Sequence, residues 1–329
     1  MNTNMTADSK ALVVYHKDDN DGVFSAAIVI NYLQHELHVK RENIDTIKAD
    51  YTTFKDITTS DIDKWNETYD NIIFTDISMN DTDMFKYLIT TVANKFTWVD
   101  HHRPIIEWSM RENLIINGML DISNSAIYNM FVYLYNPFVI SEIHIPKIFR
   151  ILSAWDSFNF TEYDKMYAYY VNVGANFNYC LSLDDIVDLV GRILYDTAIE
   201  FNADELVDKL YNDGKKLAQY EKHRVDNIIE TCGDFEFTVN GRKACALFMQ
   251  GASSSLMFDS VKRVVANGIV FKRQQHDMWV VSLYNTNDND MFDCGKYCKE
   301  HFNGGGHKGA AGFTITDDTM KTIFSTKKL

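Results

Sequence analysis

The sequence predicts an α/β protein: a mostly parallel sheet with flanking helices, followed by a smaller mixed α/β C-terminal domain. Three observations predict it. Short apolar runs rich in β-branched and aromatic residues occur at 11–15, 71–76 and 96–100, each bounded by polar residues, as expected of strands buried on both faces. Helical periodicity fills intervals between them, so the strands are joined by right-handed crossovers and lie parallel. Beyond Gly233 the pattern changes to hairpin signals and a glycine-rich loop.

The elements follow in order. Residues 1–10 are polar and aperiodic, and are expected to form a flexible tail. ALVVY (11–15) is the first strand, HKDDNDG its loop, and Val23–Gln34 the following helix. NIIFTD (71–76) repeats the strand pattern, and a helix from about Asp81 to Ala93 follows, which Asn80 or Asp81 can cap. FTWVD (96–100) is a third strand, and a helical region runs through IPKIFRILSAWDSF, which contains Asp156. This first domain spans 11–200. Residues 201–232, charged and nearly free of glycine, read as a connecting helix, helical from about Asp204 to Cys232. In 233–329, FEFTV (235–239), an Asn240-Gly241 turn and KACALF (243–248) form a hairpin signal. A helix around 253–265, strands near 268–272 and 278–284, a helix at 291–301 and the glycine-rich loop complete that domain.

Composition narrows the function. The chain has 329 residues, 46% hydrophobic and 24% charged, with only three prolines, which fits a soluble globular protein of two moderate domains. Lys+Arg 32 against Asp+Glu 46 gives 32 − 46 = −14, a surface that repels long polyanions. A phosphate-bearing substrate would therefore need local cations. Five cysteines, an odd number, do not make a disulfide framework and fit a reducing compartment. MNTNMTADSK lacks the features of a signal peptide, and no apolar run reaches the ~18–20 residues that span a bilayer. A cytoplasmic location without a membrane partner is expected.

The strands share one property. Each runs into His and Asp residues at its carboxyl end: His16, Asp19 and Asp21; Asp76; Asp100, His101 and His102. That end is where open α/β sheets bind ligands. With Asp156 added, four carboxylates would converge, and each pair ~4 Å apart costs about 4 kcal/mol at an effective dielectric near 20. Two divalent cations would offset those charges, and a mixed Asp/His shell suits manganese, iron or zinc better than calcium. Any one Asp is more commonly a cap or turn residue. Three such strand ends in one sheet, with paired histidines, outweigh that reading.

HKDDNDGVFSAA (16–27), FTDIS (74–78), WVDHHRP (98–104) and AWDSF (154–158) resemble, in order, the four motifs of the DHH phosphoesterase superfamily. NGGGHKGAAGF (303–313) resembles the GGGH signature of the DHH-associated C-terminal domain, so the resemblance covers about 12–313. It implies a two-metal phosphoesterase similar to oligoribonucleases of the NrnA type, cyclic-dinucleotide phosphodiesterases and RecJ-type exonucleases. By that resemblance His16, Asp19 and Asp76 hold one metal, and Asp21, Asp76, His101 and Asp156 the other, with Asp76 bridging. Asp100 orients a ligand, and His102 meets a substrate phosphate oxygen. Gly304, Gly305, Gly306 and His307 form the substrate-binding loop, where glycines let the backbone approach the ligand.

Two departures matter. Lys17 and Asp18 separate His16 from Asp19, where many relatives have three residues or one, so Asp18 stands as an alternative ligand to Asp19. Tyr284, in VSLYN (281–285), occupies a place where relatives often carry arginine, and a tyrosine there can stack on a base. The expected activity is hydrolysis of phosphodiesters in short oligonucleotides or cyclic or linear dinucleotides, by a hydroxide bridging two divalent metal ions, Mn²⁺ first among them. A RecJ-like exonuclease on single-stranded DNA and a catalytically silent nucleotide-binding protein are the alternatives; a homodimer is left open.

Overall fold

The computed structural model describes residues 4–50, 53–135, 145–196, 202–250, 255–274, 277–287, 290–306 and 308–329. The chain divides into two units, Met1–Ala218 and Gln219–Leu329. Strand β1 (Ala11–His16) organises the first: Ala11, Val13 and Tyr15 face one hydrophobic cluster, and Leu12 and Val14 the other. Helix α1 (Asn20–His35) follows, then β2 (Ile44–Ala49), α2 (Thr59–Thr68), β3 (Asn71–Thr75), α3 (Thr82–Thr91) and β4 (Phe96–Asp100). After these come α4 (Arg103–Arg111), β5 (Gly118–Leu120), α5 (Ala126–Tyr135), α6 (Lys147–Asp156), α7 (Lys165–Tyr179) and α8 (Leu183–Tyr195). Helix α9 (Ala203–Cys232) contains the division between the units.

The strands run parallel, as expected, in the order β2-β1-β3-β4-β5, with β2 and β5 additional to the three strands read from the sequence. The chain leaves β1 for one side of the sheet and returns past it to β3, so the order reverses between β1 and β3. A crevice opens at the carboxyl ends of strands at such a reversal. α1, α5, α6, α7 and α8 pack on one face; α2, α3 and α4 cover the other. Gly22 makes the β1–α1 turn possible, because a Cβ there would lie 2.1 Å from the carbonyl oxygen of His16.

In the second unit, β6 (Thr238–Val239), β7 (Arg242–Phe248), β8 (Asn267–Arg273), β9 (Met278–Asn285), α10 (Cys294–Phe302), β10 (Gly305–Gly306), β11 (Ala310–Thr316) and α11 (Asp317–Thr326) follow. The sheet order is β10-β11-β9-β8-β7-β6, antiparallel except where β7 pairs with β8. The hairpin turn is where expected, with Asn240 and Gly241 at φ 49° and 75°, the two positive values of a type I′ turn.

Several expectations need correction. The helix expected around 253–265 is a 3-10 turn at Ser255–Phe258 followed by further turns; residues 251–254 lie outside the described residues. Its apolar periodicity is real, since Met257, Phe258, Val261 and Val265 are buried together. Yet the backbone closes over three residues, with Val261 N–H donating to Phe258 O and Val264 N–H to Val261 O. α10 starts at Cys294 rather than 291, because Asp293 caps it by accepting from Lys296 N–H. β6 is shorter than the expected 235–239. Within residues 5–10, Asp8 pairs with Lys40 at 2.7 Å, and Lys10 N–H donates to Asp70 at 2.9 Å. No helix among the described residues is long and apolar enough to cross a membrane. All five cysteines are free thiols, and Cys294 and Cys298 are buried in the second core.

Candidate metal centre

The carboxyl ends of β1, β3 and β4 bring the expected residues together. Three groups of side chains offer ligand atoms within 4.8 Å of one another: His16, Asp19 and Asp76; Asp21, His101 and Asp156; and Asp76, His101 and His102. β1 delivers His16 at its last position. Asp19 then caps α1, one carboxylate oxygen accepting from Gly22 N–H at 3.0 Å and the other lying 2.9 Å from His16 Nδ1. Asp18 is more exposed, 3.8 Å from His16 Nε2.

Asp76 follows β3 directly and adopts φ 58°, a left-handed conformation that Asp tolerates better than most residues and that recurs at functional sites. Its carboxylate reaches His101 Nε2 at 3.3 Å, His16 Nδ1 at 3.6 Å and His102 Nδ1 at 3.8 Å. Asp156, the last residue of α6, lies 3.1 Å from His101 Nε2. Asp21 Oδ2 lies 3.5 Å from the same nitrogen.

Asp100 serves the His-His turn. It is fully buried, and its Oδ1 accepts from the backbone N–H of His101 and His102 and bonds His102 Nδ1 at 2.7 Å. Its Oδ2 accepts from Trp98 Nε1 at 3.1 Å. Asp100 thereby fixes both the His-His turn and the ring of His102.

Two contacts had no local signal in the sequence. Asp21 accepts from Ala126 N–H at 2.8 Å and Ile127 N–H at 2.9 Å, at the start of α5. Asn20 donates to the backbone and side chain of Asn172 on α7. All three partners lie more than 100 residues away, at separations of 105, 106 and 152.

The electrostatics follow from burial. Burial disfavours a charged imidazole at His16, but Asp19 and Asp76 outweigh it and push the pKa up to about 11. Burial is likewise overcome at His101 by Asp156 and Asp76, to about 12, and at His102 by Asp100, to about 9. Burial raises Asp21 and Asp156, helped by neighbouring carboxylates. Asp76 goes the other way: burial opposes its charge, but His101 and His16 hold it well below the usual carboxylate range. Protonated imidazoles thus stand as counter-ions among the carboxylates.

The donor set fits divalent metal. Asp76 Oδ1 and His101 Nε2 are buried and make no hydrogen bond, although they face each other across 3.3 Å. Buried polar atoms are rarely left in this way, and a cation ligated by both satisfies them.

In the second unit, Gly305 and Gly306 form β10 and pair with Gly312 and Ala311. Gly304 packs against Gly312, where a Cβ would come within 2.4 Å of the carbonyl oxygen. Gly306 has φ 141°, and a Cβ on it would meet Ala311 Cα at 2.5 Å; beside Gly305 nothing lies within 4 Å. His307 lies outside the described residues. Tyr284 is buried, its ring 6.1 Å from that of Phe258.

No family model and no curated protein sequence matches the chain. Solved structures do match. Exonuclease RecJ bound to manganese aligns with TM-score 0.50 and 14% identity, over 97% of this chain and 89% of that one. The pGpG-specific phosphodiesterase PggH from Vibrio cholerae aligns with TM-score 0.49 and 14% identity, over 97% and 99%. An exopolyphosphatase-related protein from Bacteroides fragilis gives 0.49 and 15%, over 98% and 92%. The chain thus shares its fold with the RecJ exonuclease.

Proposed function

We propose that the chain is a divalent-metal-dependent phosphodiesterase acting on short oligonucleotides or dinucleotides. One observation carries the proposal: the buried, unsatisfied pair Asp76 Oδ1 and His101 Nε2, set among His16, Asp19, Asp21 and Asp156. The two atoms form an ion pair without a hydrogen bond, and a cation ligated by both would satisfy them.

In this reading His16, Asp19 and Asp76 hold one ion, and Asp21, Asp76, His101 and Asp156 a second. Imidazoles in a carboxylate shell favour Mn²⁺ over Mg²⁺, which prefers oxygen ligands and keeps its waters. Such ions, when bound, supply Lewis acidity toward phosphoryl oxygens and lower the pKa of water. The chain's own residues do the positioning. His102, steered by Asp100, meets a non-bridging oxygen and takes up charge developing on it. Asp76 ties the two halves of the cluster together. The loop of Gly304, Gly305, Gly306 and His307 grips substrate away from the scissile bond and contributes alignment rather than chemistry. The charge of −14 favours short substrates, because long strands gain affinity from basic surfaces.

The test is a substrate series of pyrophosphate, cyclic and linear dinucleotides, and oligomers of rising length, assayed with Mn²⁺ and after chelation. Mn²⁺-dependent turnover greatest on the shortest nucleic acids, with weak salt dependence, is expected. Full turnover after exhaustive chelation overturns the proposal, and steep salt dependence on long strands replaces it with a strand-tracking exonuclease.

A further inference from the structure

Strand β4 carries a residue to which the proposed chemistry gives no task. Alternate residues of a strand share a face, so Phe96, Trp98 and Asp100 stand on one side of β4. Phe96 and Trp98 belong to the core beneath that face, whereas Asp100 is a carboxylate, fully buried. Its two oxygens are used unequally. Oδ1 accepts from His101 N–H at 2.6 Å, from His102 N–H at 3.0 Å and from His102 Nδ1 at 2.7 Å. Oδ2 accepts from one described group, the indole Nε1–H of Trp98, at 3.1 Å. The division matters because the last torsion of an aspartate is broad and turns with little hindrance. A donor on the second oxygen is what stops the carboxylate from rotating away from His102.

The indole is itself held. Trp98 is fully buried and packs edge-on with Phe85, ring centroids 4.8 Å apart, and Phe85 rests in turn on Phe96 and Trp108. Its backbone is pinned to β5. Trp98 N–H donates to Asn117 O at 3.0 Å, and Gly118 approaches so closely that a Cβ there would lie 1.8 Å from Trp98 O. A ring clamped in this way cannot follow Asp100, so it serves as a fixed point for the carboxylate. Phenylalanine in its place would keep an aromatic ring in the core yet leave a buried oxygen without its donor.

We infer that Trp98 is a positioning residue for the metal centre: its indole N–H locks the Asp100 carboxylate and, through it, the ring of His102. The inference rests on the phosphodiesterase reading above for its effect on turnover, and on the hydrogen bonds alone for its effect on the ring.

The experiment compares wild type, Trp98→Phe and a form with a benzothiophene analogue of tryptophan at position 98 alone. The analogue keeps the bicyclic shape and puts sulfur in place of N–H, so the core stays filled while the donor is lost. Each form is also made with His102→Ala. Mn²⁺ content is measured by elemental analysis and kcat on a linear dinucleotide. The imidazole resonances of His102 are followed by NMR in metal-free protein, assigned by their loss in His102→Ala. The analogue is expected to lower kcat about tenfold at unchanged metal content, the lower end of what outer partners of a metal centre cost, and to move the His102 resonances. In the His102→Ala background the same replacement is expected to change kcat less than about twofold. Trp98→Phe should lose at least as much as the analogue. Wild-type kcat and unmoved resonances in the analogue form overturn the inference, as does an equal loss with and without His102. A wild type without turnover on any phosphodiester removes the activity, and the His102 resonances then decide the positioning by themselves.

Discussion

The first unit assembles its candidate site from four distant segments; the second keeps its GGGH loop within four consecutive residues. The contrast shows up in what each set of residues is for. At the strand ends, His16, Asp76, His101 and Asp156 meet mainly one another, imidazole against carboxylate. In the loop, Gly304 and Gly306 are required by the close approach of β11 whether or not anything binds, and only Gly305 faces open space. A motif can therefore be part chemistry and part carpentry, and the two parts separate by experiment.

The largest effect tests the chemical part. His101→Ala is expected to lower kcat by more than 100-fold, since even residues behind a metal ligand cost about 10–100-fold, with metal content falling in elemental analysis. Asp19→Ala should approach that loss, while Asp18→Ala should change kcat less than about threefold, as removing an exposed side chain does not take a ligand away. A dead Asp18→Ala beside an active Asp19→Ala would move the ligand by one residue. Asp100→Asn keeps the turn but weakens its hold on His102, and a loss of about 10–100-fold at unchanged metal content is expected.

The loop then gives the smaller effects. Gly306→Ala should lower unfolding free energy by about 1 kcal/mol or more, because alanine resists the positive φ, while Gly305→Ala should unfold within about 0.5 kcal/mol of wild type. His307→Ala should raise KM or lower kcat with metal content intact. If its kinetics match wild type on short and long substrates, the loop is a turn alone. The smallest signal concerns protons. Neighbouring carboxylates push His16 and His101 up to about 11 and 12 before metal binds, so both must release protons to become ligands. Calorimetric heats of Mn²⁺ binding should differ between buffers of different ionisation enthalpy, and affinity should fall as pH is lowered. Identical heats would mean that the imidazoles keep their protons.

What the sequence made legible follows the same division. β1, β3 and β4 are continuous apolar runs ending in His and Asp, so strand and ligand are read together. β2, by contrast, has four of its six residues off the buried class and carries Asp45 and Lys48, which disguises it as a loop. β5 is only three residues long. The apolar spacing of Met257, Phe258, Val261 and Val265 is compatible with a helix or with successive turns, and packing against Gly268 decides it: a Cβ there would overlap the Phe258 ring at 2.2 Å. Asp21's bonds to Ala126 and Ile127 had no signal at all, because nothing near either partner records a contact across 105 residues.

That last contact has a bearing on how such a site decays. Asp21 answers to two requirements, since its carboxylate closes the first turn of α5 as well as facing His101. For Asp156 and for the ring of His101, the described contacts are with other members of the cluster. A descendant of this chain that gave up hydrolysis could let Asp156 and His101 drift freely, yet it would have to keep Asp21 to hold its fold. An intact aspartate at position 21 is thus weak testimony to activity in a diverged copy; an intact pair at 101 and 156 is strong.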